Sequence, residues 1–167
     1  MSDIYNDFLG LIQDFESLPH ISKSENIFNI TGYPHYENVS SNILAFYLNP
    51  NNEHGLGNLF FSSLMILITG KESSDNNFQV NREVSTINKG RIDIVIETDN
   101  QVIGIENKIF HHLNNDLKDY SDSIDSWAGD RDRVKIILSL KKEEESNGFV
   151  SITYDEYYIL EKSSLNI

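Results

Sequence analysis

Residues 91–108 constrain the fold more than any other stretch of this chain. Arg91-Ile92-Asp93-Ile94-Val95-Ile96-Glu97 is followed by an Asp99-Asn100 turn and then by Gln101-Val102-Ile103-Gly104-Ile105-Glu106-Asn107-Lys108. Two apolar runs joined by a tight polar turn predict a β-hairpin. The two-residue period of a strand places Val102, Gly104, Glu106 and Lys108 on one face, so a carboxylate and an ammonium lie side by side in a run otherwise fit for burial. Asp93 lies near the start of the partner strand. Antiparallel pairing through a short turn carries it toward Glu106 and Lys108 at the far end of the hairpin.

Buried carboxylates and lysines are expensive unless they are paired or bind a metal. Two acids and a lysine can be an ordinary salt bridge at a strand end. They can equally be a hydrolytic set, in which the acids hold a hard divalent cation through oxygen and the lysine orients a water or stabilises charge on a phosphate. Spacing alone leaves both readings open.

The order of Asp93, a hairpin turn and Glu106-Asn107-Lys108 resembles the PD-(D/E)XK nuclease superfamily, with Ile92 standing where that motif has proline. The likeness extends over roughly residues 35–140 through Tyr36-Glu37-Asn38, Ser41-Asn42-Ile43-Leu44-Ala45-Phe46-Tyr47-Leu48-Asn49-Pro50, His54-Gly55 and Gly90-Arg91-Ile92-Asp93. These resemble a bacterial and phage group whose leading helix carries a further acid. The resemblance implies a restriction-endonuclease-like α/β sandwich, with a mixed central sheet flanked by helices. It implies Mg²⁺, with Mn²⁺ as a substitute, held by Glu37, Asp93, Glu106 and the Ile105 carbonyl, and a catalytic Lys108. Glu83, Arg91 and Tyr120 are secondary candidates. Where related helices carry a Gln near the site, this chain has Asp116.

The flanking sequence predicts the remaining elements. Residues 3–18 carry a helical stripe of Ile4, Phe8, Leu11, Ile12 and Phe15, ended by Pro19, and residues 20–34 read as a loop. A helix from Tyr36 turns Val39, Ile43, Leu44, Tyr47 and Leu48 inward and stops at Asn49-Pro50. Glu37 falls in its first turn, where an acid by itself does no more than favour the helix dipole. His54 reads as a loop and cap residue before a helix to about Thr69. Phe78 to Ser85 alternates as a strand, and Asn88-Lys89-Gly90 turns into the hairpin. Adjacent His111 and His112 cannot readily face one ion and are not read as ligands. Leu113 to Trp127 predicts a helix with Leu117, Tyr120, Ile124 and Trp127 inward. Val134 to Leu140 reads as a wholly apolar strand at a sheet centre, parallel to the hairpin because a helix precedes it. A last short strand covers 149–154 and a weakly helical tail follows.

At 167 residues the chain is expected to form one domain: an N-terminal helix and loop over 1–34, a core over 35–154 and a tail over 155–167. The absence of cysteine excludes disulfides, thiolate metal sites and a thiol nucleophile. No apolar run reaches the length of a membrane span and no signal peptide is evident, so a cytoplasmic protein is expected. The net charge of −13 argues against a nucleic-acid partner, because affinity for phosphate comes largely from Lys and Arg. Its distribution softens that argument: residues 1–70 hold one basic residue against seven acids, whereas 11 of the 13 basic residues lie between Lys71 and Lys142. Two functions follow. The first is metal-dependent hydrolysis of DNA phosphodiester bonds, with defence against foreign DNA as the setting implied by the resemblance. The second is an inactive nuclease-fold module whose acidic surface binds a partner or mimics nucleic acid. A homodimer or a partner protein is compatible with either.

Overall fold

A computed structural model describes residues 37–73, 75, 77–109 and 116–158. The expected N-terminal helix, His111, His112 and the tail beyond residue 158 lie outside the described residues. The chain divides into two units between Pro34 and His35, and every described element belongs to the second.

That unit runs α1 (Glu37–Leu48), α2 (Leu59–Thr69), β1 (Gln79–Ser85), β2 (Arg91–Glu97), β3 (Gln101–Lys108), α3 (Leu117–Ala128), β4 (Asp132–Ser139) and β5 (Val150–Thr153). The strands form one mixed sheet in the order β1-β2-β3-β4-β5. β1, β2 and β3 are antiparallel neighbours, whereas β4 runs parallel to β3 and β5 parallel to β4. A helical crossover returns the chain in its original direction, and α3 is that crossover between β3 and β4.

The interior strands read as nearly unbroken apolar runs because both sheet faces are covered. On one face α1 and α2 pack over Ile94, Ile96, Ile103, Ile105, Ile136 and Leu138. On the other, α3 packs over Val95, Val102 and Ile137 through Leu117, Tyr120 and Ile124. Gly104 lets α3 approach: a Cβ there would stand 2.9 Å from Ile124 Cγ1 and closer still to its Cδ1. Helix ends follow local chemistry. Gly70 closes α2 at φ 71°, its N–H donating to the Ile66 carbonyl at 2.8 Å. Asp116 caps α3, accepting from the Asp119 N–H at 3.1 Å. His54 secures the turn before α2, its Nε2 lying 2.9 Å from the Asn49 carbonyl while Nδ1 accepts from the Leu56 N–H at 3.1 Å.

Two expectations need correction. The sequence pattern places Ile43 inward, but it is 41% exposed and α1 buries Ser41, Leu44, Ala45 and Leu48. The buried stripe is rotated because Asn107 of β3 takes a polar partner, Ser41, from the helix's inner face. β4 is also not wholly apolar. Lys135 is buried within it, its Nζ 2.6 Å from Ser121 Oγ and 2.7 Å from Asp125 Oδ1 of α3, so a buried charge is tolerated because both partners come from the crossover helix. Leu140 lies beyond the strand and is exposed.

Candidate active site

The β2–β3 ladder and the β3–β4 ladder end at different points, and the offset makes the site. The last register pair between β2 and β3 is Ile94↔Ile105, whereas β3 stays paired with β4 as far as Lys108↔Ser139. Glu106, Asn107 and Lys108 are therefore anchored from the β4 side and face the start of β2 on the other. Asp93 fills that gap with its side chain: Oδ2 accepts the Asn107 main-chain N–H at 2.8 Å, in place of a ladder partner. Around Asp93 the strict alternation of β2 is broken, since Ile92 and Val95 both pack on the α3 face although they are three positions apart.

Glu106 and Lys108 share a face of β3, with Lys108 Nζ 3.0 Å from Glu106 Oε1. Both are buried, Glu106 with 1% and Lys108 with 9% of its surface exposed. Glu37 reaches the same end of the sheet from the first turn of α1. Its Oε1 accepts the Ile109 N–H at 3.2 Å and its Oε2 lies 3.8 Å from Lys108 Nζ. The ammonium thus stands between two carboxylates from different elements.

Burial raises the pKa of Asp93. The Asn107 N–H and Lys108 oppose the shift, and the charges of Glu37 and Glu83 reinforce it. For Lys108, burial alone disfavours the ammonium, but Glu106, then Glu37 and Asp93, more than reverse this and hold its pKa above the ordinary lysine value. The lysine therefore stays charged, and one acid near it resists ionisation.

The secondary candidates occupy different places. Glu83 lies between the register pairs Arg82↔Ile94 and Val84↔Ile92, has φ 53°, and directs its carboxylate to Arg91 at 2.9 Å and Arg82 at 3.5 Å. Arg91 is exposed and engaged with Glu83. Tyr120 is buried on α3, its hydroxyl hydrogen-bonded to the Arg91 main chain; burial first, then the charges of Glu106 and Asp93, raise its pKa. Ile105 sits in the last pair of the ladder, against Ile94. Its carbonyl shares the β2 side with that of Asn107, which lies past the last pair.

Among the described residues, no three His, Cys, Asp or Glu side chains gather closely enough to form a ready metal-ligand set. The donor chemistry still suits a hard divalent ion, since Glu37, Asp93 and Glu106 offer carboxylate oxygen without sulfur or imidazole. The like charges that raise Asp93 are ones such an ion would relieve.

Two residues escaped the motif reading. Asn107, the middle residue of Glu106-Asn107-Lys108, has no exposed surface, and its side chain faces α1 while its neighbours face the opposite way. Its Nδ2 donates to Ser41 Oγ at 2.9 Å, and its Oδ1 accepts from the Tyr154 hydroxyl. A single amide among alternating isoleucines was the available signal. Asp119 is likewise buried: it accepts from Thr86 Oγ1 and from the Asn88 N–H at 3.1 Å, clamping the β1–β2 turn. A Cβ on Gly90, in that turn, would stand 2.8 Å from Asp119 Oδ2 and 2.9 Å from Tyr120 Cε1.

Comparison with curated proteins finds no match. Comparison with protein families matches residues 25–163 to one family, and that span includes every candidate residue described above. The motif order, the mixed five-stranded sheet with flanking helices and this match agree: the chain belongs to the PD-(D/E)XK nuclease superfamily.

Proposed function

We propose that the protein is a Mg²⁺-dependent endonuclease that hydrolyses phosphodiester bonds of DNA, with Mn²⁺ able to replace Mg²⁺. The superfamily is one of nucleases, which generally act on nucleic acid with divalent metals. The observation that carries the reading to this chain is the convergence of Asp93, Glu106 and Lys108 with Glu37, drawn from three elements to one end of the sheet. A purely structural salt bridge needs one acid per lysine, and here three acids act on a single buried ammonium.

Asp93, Glu106 and Glu37 would hold the ion. The main-chain oxygen expected from Ile105 is better supplied by Asn107, whose carbonyl lies past the ladder's end. Bound Mg²⁺ would supply activation of water and stabilisation of charge developing on the phosphate. Lys108 does the work of orientation: its ammonium, kept charged by Glu106 and Glu37, donates hydrogen bonds to the attacking oxygen or to a phosphate oxygen. Water adds to phosphorus, the bond to the sugar oxygen breaks, and the products are a phosphomonoester and a hydroxyl end. No side-chain nucleophile takes part. Arg91 beside the site, released from Glu83, is suited to contact a neighbouring phosphate, and defence against foreign DNA is the setting we favour.

The test is cleavage of labelled duplex DNA, single-stranded DNA and RNA of one sequence in millimolar Mg²⁺. Duplex DNA cut faster than RNA supports the proposal. RNA cut faster corrects the substrate, and no cleavage of any of the three, in Mg²⁺ or Mn²⁺, returns the chain to the class of binding modules.

A further inference from the structure

We propose that Asn107 is a positioning residue that sets the acid of the leading helix and the acid of β2 against the Glu-x-Lys strand, an inference that rests on the metal-dependent reading of the site. One residue touches both. Its main-chain N–H holds Asp93 Oδ2 at 2.8 Å. Its side-chain Nδ2 donates to Ser41 Oγ at 2.9 Å and to the Glu37 carbonyl at 3.4 Å, both on α1. Its Oδ1 accepts from the Tyr154 hydroxyl, which also lies 2.8 Å from Ser40 Oγ, again on α1.

The bonding capacity of a primary amide accounts for the residue type. Two N–H donors face two oxygen acceptors on α1, and the carbonyl faces a phenol donor. Aspartate would turn the donor edge into an acceptor facing acceptors, beside three carboxylates. Leucine has nearly the same shape but would leave Ser41, Tyr154 and the Glu37 carbonyl facing an apolar group in a fully buried place. The Glu37 carboxylate is the group this arrangement delivers. Residue 37 is held to β3 through its carbonyl by Asn107, and its Oε1 then reaches the Ile109 N–H at 3.2 Å. Without the amide, α1 would still pack through Leu44 and Leu48, but its first turn would lose its polar register with the strand.

The experiment compares Asn107→Leu, Ser41→Ala and Tyr154→Phe with wild type by three readouts: melting temperature, calorimetric Mn²⁺ affinity, and the amide shift of Ile109 without metal. Residues behind metal ligands typically change metal affinity by about 10- to 100-fold. Asn107→Leu is expected to weaken Mn²⁺ binding within that range and to move the Ile109 amide. Ser41→Ala, which removes one acceptor from the same edge, should weaken Mn²⁺ binding by about threefold or more and decides the matter if Asn107→Leu fails to fold. Tyr154→Phe, which spares the donor edge, should lower the melting temperature with less change in affinity than Ser41→Ala. Variants that melt earlier yet keep wild-type Mn²⁺ affinity and an unmoved Ile109 amide would make Asn107 a core amide only. If wild type itself binds no Mn²⁺, the metal reading fails, and the Ile109 amide alone still decides whether Asn107 positions Glu37.

Discussion

Replacing Lys108 by Met separates its electrostatic role from its proposed catalytic one most sharply. The substitution keeps most of the side-chain volume and removes the ammonium 3.0 Å from Glu106 Oε1, in a place where the Glu106 side chain is 2% exposed. At that separation and an effective dielectric of about 20, the direct attraction is roughly 5 kcal/mol. Desolvation of both charges offsets much of this in the intact pair, but removing one partner takes the ammonium from a carboxylate that stays buried, and breaking a buried pair in this way typically costs about 3–5 kcal/mol. Domains of this kind have total stabilities of about 5–15 kcal/mol, so Lys108→Met should fold with a much reduced margin at neutral pH. Adding Glu106→Gln should recover much of the stability, a coupling of about 1–3 kcal/mol in a double-mutant cycle. Urea unfolding of the four proteins at several pH values measures it. Mn²⁺ affinity of Lys108→Met should be retained or increased, since a competing cation has gone, while cleavage falls sharply. A Met variant within about 0.5 kcal/mol of wild type and indifferent to Glu106→Gln would refute the reasoning.

Three further outcomes follow from the same structure. Glu37→Gln should weaken Mn²⁺ binding in calorimetric titration and leave apo stability unchanged or slightly higher, because Asp93 loses a like-charged neighbour; equal affinities would leave Glu37 only its favourable place at a helix start. Gly104→Ala should lower stability by about 1–3 kcal/mol, or about 2–4 °C per kcal/mol in thermal melts, since its methyl must displace Ile124; an unchanged melting temperature would mean that α3 shifts freely over the sheet. Burial raises the pKa of Tyr154 above the ordinary 10.0. Above pH 10 the unfolded chain therefore releases this proton while the folded one keeps it, and stability falls as pH rises further. Tyr154→Phe should show a shallower alkaline decline, and equal slopes would mean that the phenol ionises in place.

The hairpin was legible in the sequence because burial on both faces leaves an unambiguous trace: isoleucine and valine filling both faces of each strand, interrupted only by Asp93, Gly104 and the charged end of β3. Parallel pairing of β4 with β3 was legible for the same reason, since the intervening helix must return the chain. What stayed hidden depends on which face a polar residue takes. Asn107 looked like the variable middle of a motif, but alternation turns it away from Glu106 and Lys108 and into α1. Ile43 looked inward because apolar residues occur on more than one side of that helix, and its rotation is set by tertiary contacts such as the Ser41–Asn107 bond. Lys135 went unread in a strand taken as wholly apolar, because its partners, Ser121 and Asp125, are supplied by a helix more than one turn away in sequence. Glu37 and Asp93 are tied to this end of the sheet through the main-chain N–H groups of Ile109 and Asn107, which no side-chain pattern reveals.

Glu37, Asp93 and Glu106 are proposed to support metal-dependent cleavage. The most direct measurement is nicking of supercoiled plasmid by wild type and by Asp93→Asn, each verified as folded by circular dichroism, in Mg²⁺ and in excess EDTA. Wild type should nick in Mg²⁺ and stop in EDTA, and Asp93→Asn should be inactive in both. Nicking that survives both the substitution and EDTA, or a folded wild type that never nicks with Mg²⁺ or Mn²⁺, would contradict it.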